Sequence, residues 1–275
     1  MRDVTATATA NTSARRVAAD AAIASDTTGS LSALRDLVRR STMSTNVSAD
    51  KLFAYDDGGE VLHTRDAAVR TAGGNEPAGS ATFATLQGGW LRRREGFEDL
   101  WHHGRRFLYG AVNAGGMGTE GKFGPFCLVV PDPEHSAPDA LAVFPGDSAS
   151  TYTDDTGAVD EVAAAADATA WAARGELAVL ERGAEALTSA ASSWPEVVCR
   201  QDHYLEVVRA GELPVTEVAE LRVREAFRRR LDRLQARVVR RDALTPEDAN
   251  LAAAYDVANG WRRSHGLAIT DVPDP

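Results

Sequence analysis

Residues 107–130, with the sequence FLYGAVNAGGMGTEGKFGPFCLVV, contain two apolar runs separated by a glycine-rich stretch. Within that stretch, GMGTEG at 116–121 has the spacing of the glycine fingerprint that binds dinucleotide phosphates. The fingerprint requires a strand before the glycines and a helix that opens at the last of them. Pro125 and a run of β-forming residues follow instead, which favours a second strand. The stretch therefore predicts two strands joined by a loop, and not a Rossmann turn.

Around this pair, the remaining elements are predicted in blocks rather than in regular alternation, which favours an α+β fold. Apolar runs indicate further strands near 140–145, 197–199, 204–208 and 221–223. Helical spacing and capping residues indicate helices over 30–40, 94–106, 160–171, 176–191, 222–241 and 245–266. Residues 1–29, rich in Thr, Ser and Ala, are predicted to be a flexible tail. Residues 30–225 then form the main domain, and 226–275 form a helical extension packed on it.

The composition indicates a globular protein without membrane segments. Of the 275 residues, 44% are hydrophobic, and no apolar run approaches the roughly 18 residues of a membrane span. Cys127 and Cys199 lie in apolar runs and are expected to be reduced thiols. The first residues carry no apolar segment of signal-peptide type. We therefore expect a cytoplasmic location as the chain is made, with export by a specialised secretion route as an alternative.

Charge is distributed unevenly along the chain. The net charge is -10, which argues against nucleic-acid binding by the whole protein. Arginines nevertheless crowd into 222–241, where an amphipathic helix should turn Phe227, Leu231, Leu234 and Val238 to the core. We interpret the arginines as a solvated or acid-paired face. Contact with a polyanion is the alternative, and nucleic acid is therefore a partner that we do not favour.

Familiar catalytic and metal-binding patterns do not occur in the sequence. The six histidines form no zinc-ligand spacing with cysteine or acid. Neither a P-loop nor a G-x-S-x-G elbow occurs. The sequence therefore predicts no metal site and excludes the common kinase and serine-hydrolase patterns.

Two stretches could carry chemistry. In AVFPGDSASTYTDD, residues 142–155, an apolar run leads to a turn with several hydroxyl side chains, which could equally satisfy only the turn backbone. The second stretch places Glu206 inside the strand pattern 204–208. A carboxylate there is costly to bury unless it faces a cleft or pairs with a cation. An edge-strand or surface position for Glu206 is the ordinary alternative.

Four short blocks between about residues 30 and 225 resemble a poorly characterised bacterial family related to ADP-ribosyltransferase toxins and effectors. The matching residues are Tyr109-Gly110-Ala111-Val112-Asn113, Phe123-Gly124, Gly146-Asp147-Ser148, and Tyr204-Leu205-Glu206 with Gly211. The chain departs from the family pattern at Val208, where the family has glutamine. It also has Tyr204 where arginine-modifying members carry a second acid.

The resemblance implies a split β-sandwich that holds NAD between two small sheets, with flanking helices. It assigns Glu206 as the catalytic acid that stabilises the ribosyl oxocarbenium ion, with Ser148 as its neighbour. An early basic residue, Arg40 or the adjacent Arg39, would orient the NAD. The full set implied for NAD binding is Arg40, Tyr109, Asn113, Phe123, Gly124, Asp147 and Thr151.

The function expected from this resemblance is mono-ADP-ribosylation, with NAD as substrate and an unidentified macromolecule as target. NAD hydrolysis, with water as the acceptor, is a close variant. The rival hypothesis is a non-enzymatic interaction module on a degenerate form of the same fold. On that hypothesis the basic helix and its partner helix dock a macromolecule. Val208 favours the rival, whereas Glu206 and the Gly-Asp-Ser turn favour the enzyme.

Overall fold

A computed structural model describes residues 1–49, 52, 61–62, 90–137, 140–200 and 203–275. It has a mixed α+β fold, as the sequence predicted. The strands are β1 Thr42–Val47, β2 Val61–Leu62, β3 Phe107–Asn113, β4 Phe126–Val130, β5 Leu141–Phe144, β6 Glu206–Ala210, β7 Leu213–Pro214, β8 Glu220–Arg224 and β9 Ala268–Val272.

The helices are numbered in chain order. They are α1 Val4–Ser25, α2 Ser30–Arg39, α3 Trp90–Leu100, α4 Glu120–Phe123, α5 Pro133–Ser136, α6 Ser148–Tyr152, α7 Glu161–Asp167, α8 Arg174–Ala186, α9 Trp194–Val198, α10 Glu225–Arg240 and α11 Pro246–His265. Short 3-10 turns lie at Gly104–Arg106, Trp171–Ala173, Ala191–Ser193 and Val215–Glu217.

Seven strands form one sheet in the order β5-β6-β3-β1-β4-β8-β9, and β2 pairs separately with β7. Neighbours in the large sheet are antiparallel except β8 and β9, which are parallel. The resemblance implied two small sheets with a cleft between them. In the described part of the chain, the main sheet is instead continuous across all seven strands.

The two faces of the sheet pack against different clusters, because side chains alternate along each strand. On one face, Met43, Val112 and Val207 join the main core with apolar residues of α2, α8, α10 and α11. On the other face, Phe144 and Val208 pack with aromatic residues of α3 and α6. Helix α3 contributes Phe97, and Trp101 follows it. The second face is the one that carries Glu206.

The N-terminal segment is an ordered helix, so the prediction of a flexible tail over 1–29 was wrong. The side chain of Asp3 caps α1 by accepting a hydrogen bond from the Ala6 backbone. Alanine has the highest helix propensity, and Ala8 and Ala19 are buried against the protein. The Asn11 amide also donates to the carbonyls of Ala165 and Ala168 at 2.8 Å, which ties α1 to the end of α7.

The C-terminal segment is helical, but it also adds a strand that the sequence analysis did not predict. Helices α10 and α11 place Leu231, Leu234 and Trp261 in the main core. Thr245 caps α11, and Gly266 ends it in the left-handed conformation, as expected. Strand β9 then pairs in parallel with β8 at the edge of the sheet. The last 50 residues are therefore part of the same sheet and core.

Most arginines of α10 are paired with acidic side chains of the same protein. Arg228 lies 3.3 Å from Asp232, and Arg230 lies 2.9 Å from Asp248. Arg229 contacts both Glu225 and Asp274, at 3.5 and 3.3 Å. The apolar stripe is shorter than predicted, because Val238 is exposed.

Two local predictions of secondary structure fail. Residues 197–199 were predicted as a strand but lie at the end of α9, whose first turn contains Pro195. The predicted break between the helices at 160–171 and 176–191 includes Gly175, but Gly175 lies inside the first turn of α8. A side chain at Gly175 would crowd the Arg35 carbonyl, so this glycine allows α8 to approach α2 closely. In the part of the chain that the structure describes, no helix is long and apolar enough to cross a membrane.

Candidate active site around Glu206

Glu206 begins strand β6, in the interior of the sheet and not at its edge. It is paired with Ala111 of β3 on one side and with Phe144 of β5 on the other. Only 3% of the residue is exposed. The ordinary alternative of an edge or surface glutamate is therefore excluded.

Three hydrogen-bond donors converge on the Glu206 carboxylate. The backbone N–H of Ser148 donates to Oε2 at 2.9 Å, and the Ser148 hydroxyl donates to the same oxygen. The Tyr204 hydroxyl donates to Oε1 at 3.2 Å. Ser148 is the first residue of α6, so its N–H has no acceptor within the helix and is free for the carboxylate.

Burial, and to a smaller extent the negative charge of Asp147, raises the pKa of Glu206 to about 8. The hydrogen bonds from Ser148 and Tyr204 act in the opposite direction but are smaller. The carboxyl group is therefore poised to gain or lose a proton near neutral pH. A positive charge placed beside it would favour the ionised form.

Lys122 and two aromatic rings lie next to this carboxylate. The Lys122 ammonium pairs with Oδ2 of Asp147 at 2.5 Å. It also lies over the rings of Phe123 and Tyr204, at 5.3 and 5.4 Å from their centroids. Asp147 in turn caps α6, since its side chain accepts from the Ser150 N–H at 3.1 Å. The ion pair thus fixes the turn that presents Ser148 to Glu206.

A second polar cluster lies farther along the same face of the sheet. Tyr109 precedes Ala111 by two residues, so its ring is on the face that carries Glu206. Its hydroxyl donates to Oε1 of Glu98 at 3.3 Å, and the Arg94 Nε donates to the same oxygen at 2.8 Å. The Glu98 side chain is fully buried. Burial opposes the charge of Arg94, but Glu98, Tyr109 and Glu206 together outweigh it, so the Arg94 pKa is raised.

The structure brings five of the predicted site residues together and separates the others. Glu206, Ser148, Asp147 and Phe123 lie around the start of β6, and Tyr109 lies two residues farther along the same face. Arg40 lies exposed at the end of α2, and α2 packs on the opposite face of the sheet. The neighbouring Arg39 pairs with the buried Glu176 of α8.

Three further predicted residues have local structural surroundings. Thr151 is exposed on α6, and its backbone N–H donates to the Asp147 carbonyl at 2.8 Å. Gly124 has φ 131°, and a side chain there would overlap the Val47 carbonyl. Asn113 is buried, and its amide donates to Ser44 Oγ and to the Gly116 carbonyl, both at 3.0 Å.

The glycine-rich stretch is a loop between two strands, as the sequence predicted, with the short helix α4 at its end. Buried polar side chains hold it over the sheet. Asn46 donates to the Met117 carbonyl at 2.9 Å and accepts from the Thr119 N–H at 2.8 Å. Arg222 donates to the Gly116 carbonyl at 3.1 Å. These side chains bind the loop itself, so the loop is structural.

Sequence reasoning did not select four residues of the site: Arg94, Glu98, Lys122 and Tyr204. Two of them left a signal. Lys122 is one of only two lysines in the chain and directly follows the glycine-rich stretch. Glu98 adjoins Phe97 in the part of α3 that faces the core, where a carboxylate is unusual. Tyr204 lies in a matched block, but it was noted only as a departure from the family and was not related to Glu206, two residues away. Arg94 left no signal, because its stacking on Tyr109 depends on how α3 packs on the sheet.

The described residues contain no group of three or more His, Cys, Asp or Glu side chains that could bind a metal ion. Both cysteines are free and buried, and burial raises the pKa of Cys127 to about 12. Neither thiol is therefore a nucleophile at neutral pH. Within these residues, the carboxylate of Glu206 is the group best placed for chemistry. Comparison with protein-family models, curated proteins and solved structures finds no match to this chain.

Proposed function

We propose that the protein is a mono-ADP-ribosyltransferase that cleaves the nicotinamide–ribose bond of NAD, with Glu206 as its catalytic acid residue. One observation carries the proposal: a buried carboxylate at the start of an interior strand is held by three donors from Ser148 and Tyr204. Such a carboxylate is fixed in position before the substrate binds, which is the requirement for electrostatic stabilisation of a transition state.

The reaction needs little else from the protein. The bond between the ribose carbon and the nicotinamide nitrogen breaks, and its electron pair leaves with neutral nicotinamide. The positive charge that develops on the ribose is stabilised by the Glu206 carboxylate. The acceptor then attacks the ribose carbon and loses a proton. No metal ion or protein nucleophile takes part.

The charge state of Glu206 supports a cationic substrate. With its pKa at about 8, the free site is largely protonated at neutral pH. The nicotinamide ring of NAD is positively charged, and a positive charge close to the carboxyl group favours its ionised form. Substrate binding would therefore produce the carboxylate that the reaction needs.

The order of the strands supports one part of the proposal, an ADP-ribosyltransferase-like core. The family resemblance assigns the NAD anchor to an early strand and the catalytic glutamate to a late one. Strands β1, β3 and β6 are neighbours in the sheet, and Glu206 lies on the last of them. We assign the NAD cleft to the face of these strands that carries Glu206 and Tyr109 and not to the face that α2 covers.

NAD hydrolysis is the second candidate, and the burial of Val208 favours it over transfer to a macromolecule. Val208 occupies the position of the family's glutamine and is fully buried among apolar side chains. It cannot contact an acceptor, so water could take that place. A non-enzymatic module acting through α10 is less favoured, because several of its arginines are already paired with acids.

The test is to incubate the purified protein with NAD labelled in its adenylate part, alone and with cell lysate. Transfer of label to macromolecules with release of nicotinamide supports the transferase. Nicotinamide release without transfer identifies the hydrolase. The absence of nicotinamide release in both arms would reject both activities.

A further inference from the structure

Neighbouring side chains fix the position of the Arg94 guanidinium, and its Nη1 and Nη2 atoms are not used in these contacts. The guanidinium carbon lies 4.2 Å from the ring centroid of Tyr109 and 5.4 Å from that of Trp90. Its Nε donates to Glu98. Among the described residues, Nη1 and Nη2 have no hydrogen-bond or ion-pair partner, and 15% of the side chain is exposed.

This arrangement suits an oxyanion. A guanidinium presents paired donors in a plane, and that geometry matches two oxygens of a phosphate or carboxylate. Stacking on two rings and the bond to Glu98 fix the plane, so little side-chain freedom is lost when an anion binds.

The position of Arg94 relates it to the Glu206 site. Tyr109, on which Arg94 stacks, lies two residues along β3 from the partner of Glu206. Two residues of a strand span about 7 Å. A ligand with a ribose at Glu206 can therefore extend an anionic group to Arg94.

Other cations near the sheet are less suitable. Lys122 is already paired with Asp147 at 2.5 Å. Arg39 pairs with Glu176, and Arg40 follows it at the end of a helix on the opposite face.

We propose that Arg94 is a positioning residue that binds the pyrophosphate of NAD, in the role that the sequence analysis gave to Arg40. The identity of the ligand rests on the proposed function. The geometry of Arg94 alone indicates an anion.

The test is the affinity of the protein for ADP-ribose, which has the pyrophosphate but no nicotinamide and does not react. The substitution R94Q removes the positive charge that pairs with the buried Glu98. The double variant R94Q/E98Q removes both charges and protects the fold. R94K keeps the positive charge but loses the planar guanidinium that stacks on the two rings. R93Q is the matched control, since Arg93 lies on the same helix as Arg94 and pairs with the exposed Asp155. Thermal unfolding of each variant verifies that it is folded.

We expect R94Q/E98Q to weaken ADP-ribose binding at least about tenfold, the loss of one charge-assisted hydrogen bond. R94K should be intermediate, and R93Q should bind like wild type. In active protein, the same variants should raise KM for NAD with little change in kcat. Wild-type affinity in folded R94Q/E98Q, or no ADP-ribose binding by the wild type, would overturn the proposal. If binding depends on Arg94 but nicotinamide is not released, the proposed function fails and this inference stands.

Discussion

The N–H and the hydroxyl of Ser148 both donate hydrogen bonds to the same carboxylate oxygen of Glu206. The other oxygen of Glu206 accepts a hydrogen bond from the Tyr204 hydroxyl, at 3.2 Å. Ser148 and Glu206 are 58 residues apart in sequence. They meet because Ser148, the first residue of α6, lies against the carboxylate of Glu206. Ser148 thus fixes one oxygen of the carboxylate and, through both bonds, favours its ionised form.

Replacing Ser148 by alanine should move the pH dependence of the reaction to higher pH. The hydroxyl lowers the pKa of Glu206, so its loss raises that pKa. If ionised Glu206 is required, kcat/KM for NAD rises with pH through the pKa of the free protein. A shift of one unit would reduce the rate on this limb about tenfold. Ser150→Ala, which removes an exposed hydroxyl from the same helix, is the control. An unshifted profile in folded S148A would contradict the role of the bond.

Asp147→Asn should move the same limb to lower pH. Asp147 raises the pKa of Glu206 by its negative charge, and asparagine removes that charge while still capping α6. Comparing the kcat/KM profiles of D147N and S148A with wild type gives the check. Shifts of D147N and S148A in the same direction would show that the electrostatic account of Glu206 is wrong.

Glu206→Gln should make the protein more stable relative to wild type as the pH rises. The pKa of Glu206 is about 8 in the folded protein, against 4.5 for an ordinary glutamate. Between these values the folded state binds more protons than the unfolded state, so the free energy of unfolding falls as pH increases. Each pKa unit corresponds to about 1.4 kcal/mol. Glutamine removes this dependence and still accepts from Ser148.

The measurement for this prediction is denaturant unfolding of wild type and E206Q at about pH 5, 7 and 9. The difference in the free energy of unfolding should grow in favour of E206Q up to about pH 8 and then level off. A difference that stays constant with pH would mean that Glu206 has an ordinary pKa.

Changing Arg229 and Arg233 together to glutamine should alter stability by only a few tenths of a kcal/mol. Both residues are exposed, and Arg229 pairs with Glu225 and Asp274 at the surface. Binding to DNA or RNA at low and moderate salt should be weak in wild type and variant alike. Tight, salt-sensitive binding that the variant loses would instead indicate a polyanionic partner.

The strands and helices that the sequence predicted are those with a clear local pattern. Leu231 and Leu234 recur at helical spacing, and Thr245 and Gly266 mark the ends of α11. Helix α1 was missed because its apolar residues are mostly alanine and form no stripe. Its position depends on tertiary contacts such as the hydrogen bond from the Asn11 amide to the Ala165 carbonyl of α7. Strand β9 was missed because its residues are mainly partly or fully exposed, and only its pairing with β8 defines it.

The site was predicted in part for the same reason. A glutamate within apolar residues is visible in the sequence, and so is the Gly-Asp-Ser turn. Their hydrogen bond could not be predicted, because it depends on how β5 and β6 pair. Arg40 was assigned to orient the NAD because it is a basic residue early in the chain. The sequence gives no sign that α2 covers the opposite face or that Arg94 stacks on Tyr109.

The most direct test of the central claim is the rate of nicotinamide release from NAD by wild type and E206Q at a fixed pH near 8. Glu217→Gln, which changes a carboxylate paired with Arg209 away from the site, is the control. The account predicts release by wild type and by E217Q, and a rate about two to three powers of ten lower in E206Q, because the charge that stabilises the ribosyl cation is lost. Equal rates in wild type and folded E206Q would contradict it.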